Sequence, residues 1–95
     1  MLDIDEKHWA IVKAILSQYN YIFYAFGSRA KKTAKKLSDL DLCYKENLPA
    51  KILSEIEEKF EESDLPFKVE LVDWNECSPN FQKLIAKDMV AVIVR

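Results

Sequence analysis

The chain's 95 residues, 49% hydrophobic and 12% aromatic, suffice for one apolar core and are too few for two. Its longest apolar runs, residues 21–26 and 89–94, fall far short of the roughly 20 residues that cross a bilayer, and the acidic start from Met1 to Glu6 is the opposite of a signal peptide. The net charge of −2 hides an asymmetry: Arg29, Lys31, Lys32, Lys35 and Lys36 place five cations in eight residues, whereas Glu55–Asp64 holds six acids against Lys59 alone.

These features predict a single domain over residues 1–95, soluble and cytoplasmic, with no membrane partner. Cys43 and Cys77 are far apart and lack a CxxC or Cys/His spacing, so they read as buried, reduced thiols. The acidic stretch reads as a solvated helix face, on which Glu55 and Lys59 have the favourable i,i+4 order.

Residues 5–18 space Trp9, Val12, Leu16 and then Tyr19 as one helical stripe, flanked by Ile11 and Ile15. Tyr21–Phe26 is a continuous apolar run, as in a central strand covered on both faces, and it stops at Gly27. Ser28–Lys36 is read as a helical turn and loop. Asp39–Tyr44 then alternates at the period of a strand, which sends Asp39 and Asp41 to one face. A second helix is predicted with Asn47 as its cap, Pro49 in its first turn and a stripe of Ile52, Leu53, Ile56 and Phe60. Ser63-Asp64-Leu65-Pro66 ends it. Phe67–Val72 is a third strand, Phe81, Leu84 and Ile85 mark a third helix after Pro79, and Val90–Val94 is a terminal strand. The expected fold class is α/β: a small mixed sheet with helices packed on it.

Gly27 is the chain's only glycine, and it separates a buried strand from a serine. A glycine there permits positive φ or a close backbone approach to a ligand, and the turn behind it offers N–H groups to an anion. Ser28 adds a hydroxyl donor, and Arg29 a guanidinium suited to bidentate phosphate contact. Asp39 and Asp41, at i and i+2 on a strand, lie side by side and repel unless a cation separates them. Hard oxygen ligands on one face are how Mg²⁺ is commonly held at nucleotide sites. His8, the only histidine, sits on the first helix beside Trp9 and reads as a surface or helix-packing residue rather than a catalytic one.

Gly27-Ser28, ten intervening residues and Asp39-Leu40-Asp41 together resemble the signature of the minimal nucleotidyltransferases of the DNA polymerase β superfamily. Phe26-Gly27-Ser28-Arg29-Ala30 and Ser38-Asp39-Leu40-Asp41-Leu42 sharpen the likeness, and Val69-Glu70-Leu71-Val72-Asp73-Trp74 resembles the strand bearing the family's third carboxylate. The resemblance implies a polymerase β palm-like fold, ATP as donor and two Mg²⁺ ions held by Asp39, Asp41 and Glu70. It also implies that Gly27, Ser28 and Arg29 bind the nucleotide.

Glu70 departs from the family's usual aspartate. Strand parity nonetheless puts Glu70, rather than Asp73, on the side of one candidate ligand face. Larger members carry a helical domain that grips the acceptor, and its lack here implies that a partner supplies the second wall. By the same resemblance that partner is a HEPN-domain toxin, adenylylated on a tyrosine, with this chain as its antitoxin. Nucleic acid is not expected as the direct substrate. The rival readings are a binding module that silences the HEPN partner by occlusion, and transfer to RNA or a small hydroxylated compound.

Overall fold

In a computed structural model, which describes residues 2–92, the elements run α1 (Glu6–Leu16), β1 (Tyr24–Phe26), α2 (Ser28–Lys31), β2 (Leu40–Tyr44), α3 (Ala50–Glu61), β3 (Val69–Asp73), α4 (Pro79–Ala86) and β4 (Val90–Ala91), with a 3₁₀ turn at Trp74–Glu76. The four strands form one mixed sheet in the order β3-β2-β1-β4. β1 pairs antiparallel with both β2 and β4, and β2 pairs parallel with β3 across the α3 connection.

The period-two alternation of β2 divides the core. Leu40, Leu42 and Tyr44 join Ala25, Val12, Ile15, Leu16, Ile56 and Phe60 in the larger cluster under α1 and α3. Cys43 faces the other way, where Phe26 and Ile85 bury with it and Tyr24, Val72, Trp74 and Met89 pack around them. Full burial of each large apolar side chain contributes roughly 1.5–3 kcal/mol, so the two clusters hold the sheet from both sides. Trp74 is half-buried and closes the edge of the smaller one, with the Lys45 ammonium 4.7 Å from its ring centre. His8 packs edge-on against Phe67, ring centres 5.8 Å apart, consistent with a packing role.

Several element boundaries differ from the sequence expectation, β2 among them, which begins at Leu40 and leaves Asp39 just outside it. β1 pairs only from Tyr24, because the Ile22 N–H donates to the Glu46 carboxylate at 2.6 Å instead of to a neighbouring strand. Asn47 does not cap α3. Pro49 occupies the cap position with φ −59° and ψ 143°, and the first helical bond runs from Leu53 N to its carbonyl at 3.0 Å. Proline presets that entry geometry and pushes Leu48 out of the helical region, which delays the helix past Asn47. β3 begins at Val69 rather than Phe67 and runs through Asp73, whose side chain accepts from Asn75 N at 2.9 Å and caps the 3₁₀ turn.

α4 starts as its sequence suggests, with Ser78 Oγ accepting from Phe81 N at 3.2 Å and Pro79 in the first turn. Only Ile85 of its apolar residues is buried; Phe81 and Leu84 are exposed. β4 is seen at Val90–Ala91, and Val92 N donates to Phe23 O at 2.8 Å; Ile93 and Val94 of the expected strand lie outside the described residues. Among the described residues no helix is long and apolar enough to cross a membrane.

Candidate active site

Strand register assembles the acids. Asp41 stands opposite Phe26 on β1 and Glu70 on β3, so one row across the sheet reads Phe26, Asp41, Glu70. Alternation keeps Asp41 on the face of Cys43, and Glu70 on the face of Val72, which is the side of the smaller cluster and α4. Asp73 differs in parity from Glu70 and is engaged in capping, so Glu70 is the β3 acid beside Asp41. Asp39 lies just before β2, exposed, where the chain joins β3 through Leu40 N to Lys68 O at 2.9 Å.

The next residue after Phe26 is Gly27, with φ 78° and ψ −156°, a conformation that essentially only glycine adopts. A Cβ on Gly27 would meet Asp41 Oδ2 at 2.6 Å. The glycine therefore satisfies two needs at once, a turn of forbidden sign and room for the Asp41 carboxylate against the backbone. Ala30 N and Lys31 N both donate to Gly27 O, at 3.1 and 3.0 Å, which closes the turn and sets Ser28 at its head. α2 has only four residues and ends at Lys32 in the left-handed region, φ 63°. So short a helix has no appreciable macrodipole, and attraction for an anion here rests on local N–H and hydroxyl groups.

Burial first, then the charges of Glu70 and Asp39, raise the Asp41 carboxyl above its ordinary value of 3.8. Asp41 thus feels the charges of both neighbouring acids. Among the described residues no trio of acid, histidine or cysteine side chains is gathered closely enough, as placed, to hold a metal ion. The donor chemistry still fits a hard divalent cation, since it consists of carboxylate oxygens, with Asp41 and Glu70 side by side in register and Asp41 carrying repulsion that such a cation relieves. Asp39, Asp41 and Glu70 are the residues that would hold it.

Arg29 requires a correction. Its side chain is not presented outward as a phosphate ligand: it is 4% exposed and makes four hydrogen bonds to backbone carbonyls. Nε and Nη2 donate to Ser38 O at 3.0 and 2.8 Å, Nη2 also to Lys36 O at 3.3 Å, and Nη1 to Asp3 O at 2.8 Å. The guanidinium also lies 4.0 Å from the centre of the Phe67 ring. The cations left outside are Lys31, whose ammonium is 3.9 Å from Asp88, and the exposed Lys32, Lys35 and Lys36. Sequence reasoning missed Phe67 and the Ser38 carbonyl as supports of the site, although a lone arginine among four lysines was a signal that a planar fork was needed there.

A mixed four-stranded sheet that sets a glycine–serine turn against a row of carboxylates defines a nucleotidyltransferase of the polymerase β type. The family model for the polymerase β nucleotidyltransferase domain matches residues 11–95, and the chain belongs to that family. Among its relatives, the probable protein adenylyltransferase MntA of Haemophilus influenzae is 45% identical, aligned over 96% of this chain and 83% of its own. Of the solved structures, a toxin–antitoxin crystallised with AMP-PNP superimposes with a TM-score of 0.66 over 92% of this chain and 73% of the other, at 21% identity. That likeness extends to the fold.

Proposed function

We propose that this nucleotidyltransferase moves AMP from ATP to a tyrosine hydroxyl of a HEPN-domain partner in the cytoplasm, and so acts as the antitoxin of a pair. The observation that carries the reading is the contact between Gly27 and Asp41: the phosphate-side turn and the acid row are built against each other. The 45% identity to MntA supports adenylyl transfer to protein, and the fold shared with a toxin–antitoxin component supports the antitoxin role.

In this reading Gly27 N–H and Ser28 cradle the outer phosphates, while Asp39, Asp41 and Glu70 would hold Mg²⁺. The bound cation would neutralise phosphate charge and relieve the repulsion among the three acids. The acceptor oxygen bonds to the α-phosphorus, the bond from that phosphorus to the β-phosphate oxygen breaks, and pyrophosphate leaves. Glu70 takes the hydroxyl proton. Its exposure on an edge strand leaves it accessible to an acceptor arriving from outside the chain. With Phe81 and Leu84 exposed on α4 as well, the partner has an apolar surface beside the site on which to sit.

The second reading is occlusion without transfer. It is favoured by the glutamate at position 70 and by the loose placement of the three acids. Intact mass spectrometry separates the two. After incubation with a HEPN-domain partner protein, ATP and Mg²⁺, a gain of one AMP on that protein is expected, and none with EDTA. A stable complex with no added mass supports occlusion; no complex at all defeats both readings.

A further inference from the structure

We propose that Arg29 is a positioning residue of the transfer reaction: from inside the fold it sets the spacing between the Gly27–Ser28 turn and the Asp39–Asp41 pair. This rests on the nucleotidyltransferase reading above. The side chain issues one residue after Ser28, and two of its donors converge on Ser38 O, the carbonyl of the peptide bond that enters Asp39. A single side chain therefore spans the ten residues separating the two halves of the motif.

The intervening loop closes on itself through Lys35 N to Ser38 Oγ at 2.8 Å and Ser38 N to Lys35 O at 3.1 Å. Those bonds do not tie it to the body of the protein; Arg29 does. On its other side the guanidinium rests on Phe67, adjacent to Lys68, whose carbonyl accepts from Leu40 N where β2 and β3 begin to pair. The entry to Glu70 leans on the same group. A third tie fastens the N-terminal segment, since Asp3 N donates to Arg29 O at 2.8 Å while Arg29 Nη1 returns a bond to Asp3 O.

Among the described residues no carboxylate lies within ion-pair distance of this buried charge. Carbonyls and a ring face take its place, an arrangement that needs the full planar fork. A lysine offers one point of attachment and cannot hold two peptide planes at once. What the fork gains is a fixed distance between groups that must act together, and misplacing such groups by about 1 Å can cost about 10²-fold in rate.

The test compares Arg29→Lys and Arg29→Met with wild type and a Ser28→Ala control, after circular dichroism and melting show which variants are folded. Two readouts are taken: kcat and KM for Mg-ATP in transfer to the HEPN partner, and Mn²⁺ affinity of the nucleotide-free chain by electron paramagnetic resonance. A positioning role predicts kcat lower by about 10- to 100-fold in both variants, KM for Mg-ATP within about threefold, and weaker Mn²⁺ binding. Ser28→Ala should instead raise KM.

A tenfold rise in KM at unchanged kcat would make Arg29 a phosphate ligand and overturn the proposal. Folded variants with wild-type kinetics and Mn²⁺ affinity would reduce Arg29 to a stability element. If neither Arg29 variant folds, Phe67→Leu decides, because it removes only the ring under the guanidinium: a lowered kcat at constant KM is expected, and an unchanged kcat refutes the idea. Should wild type show no transfer at all, the functional reading fails, and the Mn²⁺ comparison still tests Arg29 by itself.

Discussion

Gly27→Ala probes the contact on which the site is built. Alanine at φ 78° and ψ −156° enters a region that costs about 1–3 kcal/mol, which in a domain of this size lowers Tm by about 5–20 °C. The new Cβ would also stand 2.6 Å from Asp41 Oδ2, so the carboxylate must retreat by most of an ångström to reach ordinary contact distance. Being half-exposed, Asp41 can rotate away at modest cost in stability, and the heavier loss falls on catalysis, by about 10²-fold. A double-mutant cycle with Asp41→Ala separates the two effects. Without the carboxylate the clash disappears and the backbone strain remains, so the Gly27→Ala penalty should shrink without vanishing, with a coupling of about 0.5–3 kcal/mol. Urea unfolding supplies the free energies. A Gly27→Ala protein within about 0.5 kcal/mol of wild type, with no coupling to Asp41, would refute both the strained turn and the close approach.

Glu70→Gln should abolish most transfer while leaving Mg-ATP binding through Asp39, Asp41 and Ser28 largely intact; Asp73→Asn should be nearly silent, since asparagine still caps the 3₁₀ turn, and rates for the two variants reveal any exchange of roles. Because the folded state raises the Asp41 carboxyl, the stability tied to its protonated form is fully present below its unfolded value and is lost as pH rises through the higher folded one. Metal-free Asp41→Asn should therefore gain stability over wild type across that window, by a few tenths to about 1 kcal/mol after solvent screening, and thermal melts that show no pH-dependent difference would contradict the burial of Asp41 beside the charges of Glu70 and Asp39. Cys43 is fully buried with its thiol pushed up to about 11, chiefly by burial, whereas Cys77 is half-exposed with Sγ donating to Asp73 O at 3.3 Å. Ellman's reagent at pH 8 should thus modify Cys77 alone until denaturant is added; release of two equivalents from the native chain would mean that Cys43 is not in the core.

Local periodicity was enough to locate the elements where side chains alternate or repeat against a single core. The Trp9, Val12, Leu16 stripe placed α1, and the Asp-Leu-Asp-Leu alternation placed β2 with Asp41 turned from the Leu40 and Leu42 face. Parity likewise singled out Glu70 over Asp73 before any register was known. Contacts between distant residues were illegible. Nothing near Ile22 announces that Glu46 takes its amide, which shortens β1, and nothing near Gly27 announces that the close approach it allows is to Asp41. Arg29 was misread for a related reason. Residue type and proximity to a phosphate-binding turn argue for an outward guanidinium, while the partners that draw it inward, Asp3, Ser38 and Phe67, come from three separate stretches of chain.

The glutamate at position 70 is easier to understand once its strand is placed. β3 is the outer strand of the sheet, one strand spacing of about 4.8 Å beyond the strand that carries Asp41. Asp41 sits against the Gly27 backbone, so a cation held by the row would be met from the β3 side by Glu70. A side chain longer by one methylene reaches further toward that shared position from an edge strand, at the cost of an extra rotatable bond to be ordered when ligand binds. The same edge is open to solvent, where a hydroxyl from another protein would have to enter. The inner end of the acid row is thus held against the Gly27 backbone through Asp41, while its outer end, Glu70, stands exposed on the edge strand, open to the partner proposed above.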